Sequence, residues 1–209
     1  MDSRRLSRDD AGMKLKHLLP AAALALLAFN GTASAADLGL KISLAHDSER
    51  ERQTQAQLER LLQAYDVSRW VHTRDIVIDE TEVPHSHPVL TLHARHAKDD
   101  DLLLSTFVHE QTHRMLDEHP AEHAAAVRAL RKLYPRIPIG YPEGSDSAEV
   151  NYDHLIIIYI EYRADQRLMG ELRARAVMEF FAHDHYRWLY REVLGDPEKV
   201  GRIVKAHSL

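Results

Sequence analysis

A mostly α-helical α+β domain, with a small β-sheet ahead of one motif-bearing helix, is what this sequence predicts, on three observations. Long stretches repeat apolar residues at helical spacing. Two short segments, DIVIDE (75–80) and PVLTLHARH (88–96), read instead as strands. Both come before STFVHEQTHRML (105–116), a helical stretch carrying two histidines four residues apart. The chain has 209 residues, 44% of them hydrophobic, enough for one core, and no repeat or low-complexity linker divides it.

The N-terminus is set apart. After Met13, Lys14 and Lys16 open a basic region, residues 18–29 are an apolar run, and Ala33-Ser34-Ala35 is a small-residue cleavage site. This is the pattern of a secretory signal peptide. It divides the chain into a leader over 1–35 and a single domain over 36–209, exported to the periplasm or secreted. The apolar run is short for a membrane span, and no later segment is longer, so no stable span is expected after cleavage. Losing the leader removes 5 of 27 Lys/Arg and 3 of 32 Asp/Glu, leaving 22 against 29 and a net charge of −7. Nucleic acid is not an expected partner for such a domain, because phosphate recognition needs clustered cations. There are no cysteines. Any metal must be held by imidazoles and carboxylates.

The elements follow in order. In SERERQTQAQLERLLQAY (48–65), Leu58, Leu61 and Leu62 share one face among charges, and Ser48 is the candidate N-cap. DIVIDE is a short strand. After a turn at Pro84, Leu90, Leu92 and Ala94 alternate with Val89, Thr91, His93 and Arg95, a half-buried strand expected at a sheet edge. Asp99, Asp100 and Asp101 then place negative charge where a helix N-terminus favours it, opening a helix to about His119. Pro120 separates it from the next, which runs to Leu133. Three prolines and two glycines make 134–147 a loop. Helices are expected over 148–169, 171–194 and 197–207.

Residues i and i+4 of a helix lie one above the other, so His109 and His113 reach one ion. Glu110, rotated by about 100°, sits beside that ion without being forced to coordinate it. This is the mechanical content of an H-E-x-x-H zinc motif, with the glutamate as general base. A tetrahedral ion needs a third protein ligand. Glu161 interrupts the apolar run in HLIIIYIEYRADQRLMG (154–170), where an isolated carboxylate is costly, and is the expected donor. Asp165, one turn on, is the candidate to accept the free N–H of a ligand imidazole. His154, two turns before Glu161 on the same face, is the candidate transition-state donor or an alternative ligand. Tyr152, Tyr186 and Tyr190 are further candidates for that donor.

HEQTH followed 48 residues later by EYRAD resembles the gluzincin metallopeptidases, most nearly the HtpX-like enzymes, which pair HExxH with a downstream ExxxD. The resemblance covers residues 88–170. It implies a zincin-like domain binding one Zn²⁺ through His109, His113 and Glu161, with Glu110 as catalytic base and a peptide or protein as substrate. A non-catalytic periplasmic zinc-binding protein, using the histidine-rich 85–96 region as well as HEQTH, is the alternative; for His85, His87, His93 and His96 themselves a solvated loop is the default reading, against a second metal site or a scavenging patch. A di-iron carboxylate bundle needs two E-x-x-H helical elements, and only Glu110 with His113 qualifies. If the 88–96 strand is a free edge, an extended peptide can add to it.

Overall fold

The computed structural model describes Ala35 and residues 37–209, and the expected leader lies outside them apart from Ala35. The described residues pack as one compact unit. It is mostly helical with a three-stranded parallel sheet, an α+β arrangement.

The sheet begins with β1 (Lys41–Leu44), a strand the sequence reading did not anticipate. It is short and half-exposed, so its alternation is weak. Helix α1 (Glu49–Ala64) follows, with Ser48 as the expected cap: its side chain accepts from Glu51 N–H, while the Glu51 carboxylate reaches back to Ser48 N–H. Burial of Leu58, Leu61 and Leu62 holds α1 against the sheet and the next helix. The chain returns as β2 (Asp75–Ile78), parallel to β1, a crossover of the length that parallel pairing requires.

Strand β3 (Leu90–Leu92) is shorter than expected, because a 3-10 turn starts at Ala94 with His93 accepting from Arg95 N–H. It pairs parallel with β2 at the sheet's edge. That edge is not open at its centre. The 79–89 connection must return the chain to the far end of the sheet, and on the way it passes along β3. There Thr91 exchanges both backbone bonds with His85, at 2.7 and 3.1 Å. Strand addition at Thr91 is therefore blocked by the protein's own chain, which corrects the free-edge expectation.

Helix α2 (Asp100–Glu118) carries HEQTH and is capped by Asp99, whose side chain accepts from Leu102 N–H. Buried Gln111 ties it to the segment before β2, accepting from the N–H groups of His72 and Thr73 and donating to Thr73 C=O. Helix α3 (Pro120–Leu133) starts at the predicted proline. Helix α4 (Ala148–Met169) is the centre of the domain, with Leu155, Ile156, Ile157 and Ile158 fully buried; a helix apolar all round is one surrounded by others. Helices α2 and α3 pack against it, as do α5 (Glu171–Asp184), α6 (Arg187–Gly195) and α7 (Pro197–Ala206). Gly170, at φ 86°, makes the turn from α4 to α5, where any side chain would strain the backbone.

The single helix expected over 171–194 is two. His185 is extended and Tyr186 is left-handed, at φ 48° and ψ 36°. No proline or glycine marks the break. It is made by tertiary contacts: Arg187 and Trp188, first N–H groups of α6, donate to the carbonyls of Pro142 and Glu143 in the 134–147 loop. That loop is itself pinned by buried Asn151, which donates to Pro138 C=O and accepts from Ser145 N–H. No helix among the described residues is long and apolar enough to cross a membrane.

Candidate metal centre

Helices α2 and α4 cross so that His109, His113 and His154 face one another. Their rings lie 5.0–5.4 Å apart, and one ligand nitrogen from each falls within 4.8 Å of the others. His109 uses Nδ1 to bond Glu161 (2.8 Å) and His154 uses Nδ1 to bond Val150 C=O (2.8 Å), so both have Nε2 free for an ion. Burial, reinforced by the charge of His109, pushes His113 down to about 2 and His154 down to about 3. Both stay neutral at ordinary pH, which a ligand imidazole must be. For His109, burial would lower the pKa, but the adjacent Glu161 carboxylate outweighs it and the net shift is upward.

Glu161 is not the third member of this group. It lies behind His109, fully buried, accepting from His109 Nδ1, from Ser105 Oγ (2.7 Å) and from the Tyr190 hydroxyl (3.1 Å). Its partners are one protonated ring nitrogen and two hydroxyls, which together meet the cost of burying a carboxylate without an ion. The task expected of Asp165, holding a ligand imidazole in one tautomer and orientation, is thus placed on Glu161. Asp165 sits one step further out. Its Oδ2 is also 2.7 Å from Ser105 Oγ. One hydroxyl proton cannot serve two carboxylates, and burial followed by the Glu161 charge raises Asp165 well above the usual carboxylate range. The consistent assignment is a neutral Asp165 donating to Ser105, which donates to Glu161.

Glu110 is 5% exposed, and its Oε2 is buried with no hydrogen-bond partner among the described residues. Burial pushes its carboxyl up to about 7. It lines a half-open cleft of about 760 Å³ together with the three imidazoles, His85 and Tyr186. The Tyr186 ring lies 4.3 Å from that of His154, and burial, then the Glu110 charge, raises its phenol above the ordinary value.

The structure brings together His109, Glu110, His113 and His154, with Glu161 one bond behind, and Asp165 three, through Ser105. His154, expected first as a transition-state donor, stands among the candidate ligands. Ser105 was missed, although its place one turn before His109 put it on the same face of α2. The 85–96 histidines are dispersed. His85 bonds Val83 C=O, His87 bridges Ser86 and Asp117, and His96 is buried against Phe180 and Phe181, where burial lowers it to about 4. Among the described residues, the other group close enough for one ion is His46, Glu51 and Asp79. There Glu51 already accepts from three backbone N–H groups and His46 Nδ1, which makes it a structural hub.

An ion is well suited to this donor set. Three imidazoles converging at the edge of an open cleft could hold a metal ion where a molecule in the cleft would reach it. No family model, no curated protein and no solved structure matches this chain.

Proposed function

We propose that the protein is an exported, zinc-dependent metallopeptidase of zincin-like construction, with His109, His113 and His154 as ligands and Glu110 as general base. One observation carries the reading: a buried, unpartnered carboxylate oxygen beside three converging imidazoles in an open cleft. A storage or transport site has no use for such a group, and an uncompensated buried acid is costly to keep. The donor set supports zinc over harder ions, which prefer oxygen ligands. The leader expected over 1–35 supports export.

When bound, zinc supplies a water acidified toward neutrality and polarises the substrate carbonyl. The remaining work falls to the chain's own groups. Glu110 takes the water proton as the water oxygen bonds the carbonyl carbon, then returns it to the leaving amine as the C–N bond breaks. Glu161 keeps His109 in the tautomer whose Nε2 is free. The cleft is half open, so an extended stretch of polypeptide can enter it. His85 borders the cleft, so the 79–89 connection forms one wall where β3 had been expected.

Elemental analysis of the purified protein tests this together with cleavage of an unfolded polypeptide. The wild type carries one equivalent of zinc and cleaves. Glu110→Gln retains the zinc and loses hydrolysis by about 100-fold or more. A Glu110→Gln variant as active as the wild type removes the reading.

A further inference from the structure

A peptide carbonyl oxygen becomes anionic as water adds, and a donor already aimed at that position accelerates the step. Three of the four side chains that the sequence offers for this are committed elsewhere. His154 stands among the candidate ligands, with its Nδ1 on Val150 C=O. The Tyr152 hydroxyl donates to Tyr134 C=O at 2.7 Å, and the Tyr190 hydroxyl donates to Glu161. Tyr186 is different. It lines the cleft with Glu110, its ring lies against that of His154, and its hydroxyl makes no hydrogen bond among the described residues.

The backbone adds an independent observation. Tyr186 is a bulky residue at φ 48°, a left-handed conformation that glycine or asparagine takes at lower cost. It persists because the two N–H groups that follow are bonded to Pro142 and Glu143 across the loop. The result is a break in an otherwise continuous helix at the residue that borders the cleft. Strain held in place by surrounding contacts at such a point is an indication of a functional constraint.

We propose that Tyr186 is a catalytic residue whose hydroxyl donates a hydrogen bond to the substrate's carbonyl oxygen in the transition state. This rests on the peptidase reading above. As the water oxygen bonds to carbon, the carbonyl π pair moves onto oxygen, the water proton goes to Glu110, and the phenol proton stays on Tyr186. On collapse the pair returns, the C–N bond breaks, and Glu110 protonates the amine. No other reactant is needed.

The competing role is packing, with the Tyr186 ring simply holding His154. Tyr186→Phe separates the two, because it keeps the ring and removes the donor. The expected result is a kcat about 100- to 1,000-fold lower on a fluorogenic peptide, with KM within about twofold. Zinc content and melting temperature are unchanged. In calorimetry, a peptide phosphinate, which carries the tetrahedral oxyanion but does not turn over, binds the Phe variant about 10- to 100-fold more weakly. Tyr186→Gly relieves the backbone, so its melting temperature is expected at or above that of Tyr186→Ala.

A Phe variant with wild-type kcat and phosphinate affinity, or one that loses zinc, overturns the assignment in favour of packing. Wild-type protein that holds zinc but cleaves no peptide overturns the peptidase reading instead. The phosphinate then decides Tyr186 alone: weaker binding to the Phe variant upholds the donor, while equal binding, or none to either protein, overturns it.

Discussion

Replacing Glu161 by glutamine separates the two ways a carboxylate can serve this site. In the structure Glu161 is one bond removed from the group of three imidazoles, accepting from His109 Nδ1 at 2.8 Å. Glutamine keeps an acceptor of nearly the same shape and loses the charge. A hydrogen bond with one ionised partner contributes about 1.5–3 kcal/mol and a neutral one about 1 kcal/mol. The change therefore removes on the order of 1–2 kcal/mol from the hold on the His109 tautomer, roughly a 5- to 30-fold loss of metal affinity. That overlaps the lower part of the about 10- to 100-fold typical for partners of metal-bound imidazoles. Removing a ligand does far more, so His154→Ala is expected to abolish tight binding. The assay is competition for zinc against a chromogenic chelator, run on these two variants and on His113→Ala with their melting curves as a folding control. Should Glu161→Gln lose zinc as completely as His113→Ala while His154→Ala keeps it, the carboxylate is the ligand and the imidazole trio is wrong.

Two further predictions concern the fold. Gly201 lies inside α7, where alanine normally stabilises a helix by about 1 kcal/mol. Here an added Cβ would come within 2.6 Å of the buried Tyr159 ring, so Gly201→Ala is expected to lower stability by about 1–3 kcal/mol in urea titration. At the start of α1, burial alone would raise Glu51, but its bonds from His46 and backbone N–H groups bring it below its ordinary 4.5; His46 is raised above its ordinary 6.5 chiefly by its bond to Glu51. The Glu51 contribution is present above pH 4.5 and fades as pH falls through its lowered value. The His46 contribution is complete below pH 6.5 and fades as pH rises through its raised value. The stability difference between wild type and His46→Ala should therefore be largest between about pH 4.5 and 6.5. A difference that grows toward pH 9 would contradict the pairing.

The sequence by itself determined what depends on neighbours along the chain. The Ser48 capping box, the Asp99 cap, the proline that opens α3 and the shared face of His109 and His113 all arise within a few residues, so local geometry decides them. Which group on α4 meets those histidines is another kind of question. His154 and Glu161 are seven residues apart on one face, about 10.5 Å along the axis, and periodicity cannot tell which one a neighbouring helix brings level. The axial position of α4 against α2 is set by the packing of its whole buried surface, and it put His154 level with the other two rings and Glu161 behind. The same holds for the break at Tyr186 and for the covered edge of β3. The first is made by backbone groups far away in sequence, in the 134–147 loop, and the second by His85, which the connection into β3 folds back onto Thr91; hydrogen bonds of that kind come into being only once the chain has folded.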